Sequence, residues 1–119
     1  MNKNDYIIRS ETENDYRETE NLAREAFWNL SFPGCNEHYF IHVLRKHEAF
    51  IPELDYVVEH DGRIIACVMY SKAKLIDESG AEKDIVSMGP ICVHPDYQRK
   101  GISRILLEFT FEKAAEMGY

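Results

Sequence analysis

Ile91-Cys92-Val93-His94-Pro95-Asp96-Tyr97-Gln98-Arg99-Lys100-Gly101-Ile102-Ser103 is the stretch that decides the fold of this chain. A short apolar strand runs into a polar turn, then a glycine-bearing loop, then an amphipathic helix that begins near Arg104. The first N–H groups of a helix have no partner inside it, and the helix dipole makes that end attractive to anions. The order therefore predicts a seat for a phosphate or pyrophosphate. Gly101 has no Cβ, so an anion can approach the backbone closely. Ser103 adds a hydroxyl, and Arg99, Lys100 and Arg104 gather positive charge in a chain that is otherwise acidic. Pro95 ends strand hydrogen bonding just before the turn.

Two better-known phosphate motifs are absent. The Gly-x-x-x-x-Gly-Lys-Ser/Thr spacing of a P-loop does not occur, and neither does the Gly-x-Gly-x-x-Gly of a dinucleotide fold. The stretch from Val93 to Ser103 instead resembles the acyl-CoA loop of the GNAT N-acetyltransferase superfamily, Val-x-Pro-x-Tyr-Gln-x-x-Gly-Ile-Gly/Ala, with Ser103 at the last small position. Upstream, Tyr6-Ile7-Ile8-Arg9 followed by Asp15-Tyr16 and Leu22-Ala23-Arg24-Glu25-Ala26-Phe27 is similar to that family's first strand and helix. Asp61-Gly62-Arg63-Ile64-Ile65-Ala66 is similar to its second turn and third strand.

The resemblance covers essentially the whole chain and implies an α+β domain, a mostly antiparallel mixed sheet with helices on both faces. It implies transfer of an acetyl group from acetyl-CoA to the amine of a small molecule or protein. In that family the strand matching Ile91, Cys92 and Val93 presents backbone groups to the pantetheine arm. The loop matching Gln98, Arg99, Lys100, Gly101, Ile102 and Ser103, with Arg104, holds the pyrophosphate. Such domains usually continue into a further strand, a helix and a closing hairpin. Residues 1–119 are thus expected to be a single domain that stops after its crossover helix. The tyrosine that often protonates the leaving thiolate would lie beyond Tyr119. One flank of the strand ending at Val93 would stay open, which favours a dimer through that edge.

Composition sets the bounds. A chain of 119 residues suits one small domain, and 45% hydrophobic residues argue against disorder. A net charge of −7 argues against broad nucleic-acid binding. Cys35, Cys67 and Cys92 have no metal-ligand spacing, and an odd count without a secretory segment predicts a reducing, cytoplasmic setting. The N-terminal residues are polar and carry no apolar run, so neither a signal peptide nor a membrane anchor is expected in them.

Along the chain, Tyr6-Ile7-Ile8 reads as a short strand, followed by a helix over about 15–29 with Leu22, Ala23, Ala26 and Phe27 on one face. Pro33-Gly34 breaks the pattern, and a second helix spans about 36–46. Asp61-Gly62 between two apolar runs predicts a hairpin, and Asp77-Glu78-Ser79-Gly80 a second one. The strand after it, about 83–93, contains Gly89-Pro90, which predicts a bulge or an unpaired edge. The last helix spans about 103–117, with Ile102, Ile105, Leu106, Phe109 and Ala114 toward the sheet and Gly118 as its cap.

Catalytic roles stay unassigned. Glu59, Asp84 and Ser87 sit on or near central strands, and each reads more simply as a solvated or hydrogen-bonded strand residue. His94 reads as turn structure, and Cys92 as strand packing. Cys35 lies in a loop near Trp28 and Phe32 and is a candidate for the acceptor side. The aromatic set Trp28, Phe32, Tyr39 and Phe40 reads as core or cleft wall. His38, His42 and His47 are spaced so that only the first two share a helix face, so no metal is expected.

Overall fold

The computed structural model describes residues 6–27 and 37–119. The elements are β1 (Ile7–Ser10), α1 (Tyr16–Phe27), α2 (Glu37–Leu44), β2 (Tyr56–His60), β3 (Arg63–Ile76), β4 (Glu82–Val93) and α3 (Ile102–Glu116). The strands form one sheet in the order β1-β2-β3-β4, with antiparallel neighbours throughout. Strands and helices follow in the order the sequence predicts. No helix among the described residues is long and apolar enough to cross a membrane.

The turn between β2 and β3 is the two-residue Asp61-Gly62, with φ of 52° and 75°. Both values are positive, as the mirror-image hairpin turn requires, and its twist matches that of the strands it joins. His60, adjacent to that turn in sequence, is the last residue of β2. The second hairpin is closed by the Asp77 carboxylate, whose Oδ1 accepts from the N–H groups of Ser79 (2.9 Å) and Ala81 (3.0 Å). Such local bonds are why aspartate favours turns.

Two irregularities shape the sheet. Glu59 pairs with Ile64 while Val58 pairs with Ala66, so Ile65 is an extra residue in β3. On β4, Val68 pairs with Ile91 but Tyr70 with Met88, so Gly89 and Pro90 together oppose Met69. This is the bulge predicted at Gly89-Pro90, and Gly89 occupies φ 147°, where side chains are disfavoured.

Helices cover both faces. On one face α3 lays Ile102, Leu106 and Ala114 against Val58, Ile65, Ala66, Val68 and Tyr70. On the other, Leu22 and Ala23 of α1 and Ile41 and Leu44 of α2 meet Val57, Ile64, Cys67, Met69 and Cys92. Strand residues alternate between the two layers from Ala66 to Tyr70, and the extra Ile65 resets their phase. Thr110, absent from the predicted face, is also buried, because the Tyr70 hydroxyl lies 2.7 Å from its Oγ1. The C-cap of α3 is Met117, and Gly118, expected as the cap, follows it with φ 95°.

Candidate functional site

The loop from β4 to α3 is built by short-range bonds and tied to both layers. The N–H of His94 still donates to the Ile65 carbonyl at 2.7 Å, so the sheet ladder extends one residue past Val93. Pro95–Tyr97 then forms one 3-10 turn. Nδ1 of His94 accepts from the Asp96 N–H at 3.1 Å, and its Nε2 lies 2.9 Å from Glu25 Oε2 on α1. Tyr97 lies in the opposite layer, its hydroxyl 2.8 Å from His60 Nδ1. The side-chain amide of Gln98 donates back to the Val93 carbonyl at 3.0 Å and closes the turn.

Beyond Gln98 the backbone takes two left-handed residues, Arg99 (φ 65°) and Gly101 (φ 80°). Gly101 is the N-cap of α3, and the N–H of Ile105 donates to its carbonyl at 3.2 Å. The N–H groups of Ile102, Ser103 and Arg104 precede that bond and have no acceptor within the helix. A Cβ placed on Gly101 would meet no atom within 4 Å beyond its chain neighbours and the start of α3, so Gly101 borders open space. Arg99 and Lys100 are exposed beside it, with Lys100 Nζ 5.5 Å from the centre of the Tyr97 ring. Arg104 donates to Glu108 at 3.0 Å along the exposed side of α3.

The predicted residues are thus brought together, but they differ in what they offer. The side chain of Ile102 is buried in the core and Cys92 is buried beside Cys67, so each presents only its backbone outward. Ile91 and Val93 are half-buried against the α3 layer. Ser103 is exposed. The Gln98 side chain is engaged within the loop.

The acid–base candidates differ in their surroundings, and Cys92 is buried. Glu59 accepts from Arg9 at 3.2 Å and 3.1 Å. Asp84 and Ser87 are exposed opposite Lys74 and Ser71. Both ring nitrogens of His94 are engaged. Cys92 is buried beside Cys67 on the core side of β4, as strand packing. His42 sits 3.1 Å from Glu20, and His47 accepts from the Ala49 N–H at 3.0 Å. Trp28, Phe32 and Cys35, and the side chains of His38, Tyr39 and Phe40, lie outside the described residues.

Two contributors escaped the sequence reading. Glu25 reaches His94 from α1, where an open hollow of about 580 Å³ is lined by Asn21, Arg24, Glu25, His94, Pro95 and Asp96. Its helical position gives no hint of that contact. His60 could have been found, because strand alternation puts it two residues from Val58, on the layer that receives Tyr97.

A family model described as the acetyltransferase (GNAT) family matches residues 10–119. The chain belongs to the GNAT acetyltransferase family. Among solved structures, a GNAT family acetyltransferase from Brucella melitensis in complex with acetyl-CoA is 28% identical, with a TM-score of 0.80. That match covers 95% of this chain and 70% of the other. The loading GNATL domain of CurA from Lyngbya majuscula has the same GNAT fold at 19% identity and a TM-score of 0.68, covering 95% of this chain and 60% of the other. An aminoglycoside 6′-N-acetyltransferase from Acinetobacter haemolyticus shares the fold at 16% identity and a TM-score of 0.65, covering 93% and 72%. No curated protein sequence matches the chain. The GNAT assignment makes the chain an acyltransferase and agrees with the fold built above.

Proposed function

We propose that this chain transfers the acetyl group of acetyl-CoA to an amine. The observation that carries the reading is the helix start at Gly101, where three successive N–H groups, an open approach and two exposed cations coincide. That set fits a pyrophosphate chemically, because the amides donate hydrogen bonds and Arg99 and Lys100 offset its charge. Acetyl-CoA, when bound, supplies an activated acetyl thioester. The N–H groups of Ile102, Ser103 and Arg104 hold its pyrophosphate. β4 pairs on one side only among the described residues, so the outward backbone groups of the Ile91–Val93 segment are available to the amide-bearing pantetheine arm.

The chain's contribution to rate is then mainly alignment of thioester and amine. The acceptor is a small-molecule or protein amine, and the net charge of −7 favours a cationic one. The buried free thiols Cys67 and Cys92 suit a reducing, cytoplasmic setting. Release of CoA thiol over a panel of amines tests the reading, with Gly101→Glu as the control. Amine-dependent release by the parent alone supports it. Saturable acetyl-CoA binding without release over any amine would make the chain an acyl-CoA-binding module instead.

The same β4 edge favours a second reading. Leu75, Ile76 and Met88 on the β3–β4 hairpin are exposed, and the outer edge of β4 can pair with a second copy. Light scattering at rising concentration distinguishes a dimer from a monomer.

A further inference from the structure

The β4–α3 loop holds a disfavoured backbone conformation on its exposed stretch. Arg99 carries φ 65° on a residue with a Cβ, and Gln98, Arg99, Lys100 and Gly101 are all exposed. A left-handed non-glycine residue persists only where its surroundings over-determine it. The Gln98 side chain is tied to the Val93 carbonyl, and the last half-buried side chain before Arg99 is Tyr97, two residues away. Its ring is half-buried against the α3 layer and meets the His60 ring edge-on, with centroids 5.4 Å apart.

His60 is itself held firmly. Its side chain is 10% exposed, and its ring also packs on Tyr6 at 5.2 Å. A buried ring nitrogen needs a partner, and Nδ1 has the Tyr97 hydroxyl at 2.8 Å. The Asp61 carboxylate stands farther off, at 3.7 Å, and is mostly solvated. The Tyr97 ring in turn lies under Lys100 Nζ. A continuous path thus runs from the end of β2, through one hydrogen bond, to the cation beside the α3 amides.

We infer that His60 is a positioning residue for the pyrophosphate loop: its hydrogen bond to Tyr97 pins the turn so that Lys100 and the amides of Ile102, Ser103 and Arg104 converge on one anion. This rests on the reading that the loop takes acetyl-CoA. It adds a residue that touches no ligand and lies 38 positions from Gln98. Without the bond the loop samples other arrangements, and apparent affinity falls in proportion to the competent fraction. One hydrogen bond of ordinary strength corresponds to a several-fold loss, at most about 10-fold.

The test is acetyl-CoA and S-acetylpantetheine binding, the second ligand lacking the pyrophosphate, by the parent, His60→Leu, His60→Asn, Tyr97→Phe and the His60→Leu/Tyr97→Phe pair. Tyr97→Phe keeps the ring and removes only the hydroxyl, which guards against misfolding of the histidine variants. The expected result is several-fold weaker acetyl-CoA binding in each single removal, at most about 10-fold, and no further loss in the pair. His60→Asn, whose amide can replace Nδ1, retains most of the affinity, and S-acetylpantetheine binds all variants alike. Unchanged acetyl-CoA affinity in His60→Leu and Tyr97→Phe overturns the inference, as does an equal loss for both ligands. A folded parent that binds no acetyl-CoA removes the functional reading itself, a failure distinct from the other two.

Discussion

Arg45 grips Glu11 with two parallel hydrogen bonds, Nε to Oε1 at 3.0 Å and Nη2 to Oε2 at 2.7 Å. The Glu11 side chain is wholly buried and that of Arg45 nearly so. The same guanidinium reaches Glu20 at 2.8 Å and stacks 4.0 Å over the Tyr16 ring. One side chain thereby joins the end of α2 to the β1–α1 connection and to α1. Removing one partner of a buried pair leaves the other charge uncompensated. Arg45→Met is therefore expected to lower stability by about 3–5 kcal/mol, measured by urea unfolding. A loss under about 1 kcal/mol would mean that this contact is solvated in practice.

Asp55 stands beside this pair and makes stability fall as pH rises from about 4 to about 9. Burial and the hydrogen bond to Glu11 push its carboxyl from 3.8 up to about 9, and its Oδ1 has no hydrogen-bond partner. The folded chain holds this proton where the unfolded chain releases it, so Asp55's contribution is full below about pH 4 and is lost as pH rises to about 9. Asp55→Asn keeps a donor toward Glu11 at every pH. The stability of the variant relative to the parent should rise between pH 5 and 8 by at most about 1.4 kcal/mol per unit. A flat difference would show that Asp55 is ionised in the fold.

Asp15 behaves in the opposite sense. Its hydrogen bonds with Arg9, at 2.7 Å and 3.0 Å, and with the Thr12 N–H hold its carboxyl at about 2, below the ordinary 3.8. Its contribution is full above about pH 4 and disappears as pH falls toward 2. Asp15→Asn should be about 2 kcal/mol less stable than the parent at pH 7 and no less stable near pH 2. Denaturant unfolding at the two pH values checks both halves.

The bond between Tyr70 and Thr110 fastens α3 to β3 beneath the candidate site. Thr110 keeps a partner without it, since its hydroxyl also reaches the Leu106 carbonyl at 3.0 Å. Tyr70→Phe should therefore lower stability by only about 1 kcal/mol, measured by thermal unfolding. A loss of several kcal/mol would mean that the hydroxyl organises more of the core than this one bond.

Much of this was legible in the sequence because local chemistry agreed with the fold. Asp61-Gly62, Asp77 to Gly80 and Gly89-Pro90 each sit where backbone sterics demand them, and each marked its turn or bulge. The contacts that fasten the site were not legible. Arg45–Glu11 spans 34 residues and leaves no periodic trace, and strand alternation marks the layer of His60 but not its pairing with Tyr97, 37 residues away. Thr110 escaped because a hydroxyl on an apolar face becomes core only once Tyr70 is seen opposite it. The roles of Ile102 and Cys92 narrowed to their backbones because burial of a side chain is a property of packing.

The central claim is that the start of α3 holds the pyrophosphate of acetyl-CoA. Calorimetric titration of acetyl-CoA into the 119-residue chain and into Gly101→Glu tests it most directly. A glutamate there adds bulk to an open approach, strain at φ 80° and like charge against the phosphates. The account predicts saturable binding on the order of micromolar for the parent and at least about 100-fold weaker binding for the folded variant. Equal binding by both chains, or none by a folded parent, would contradict it.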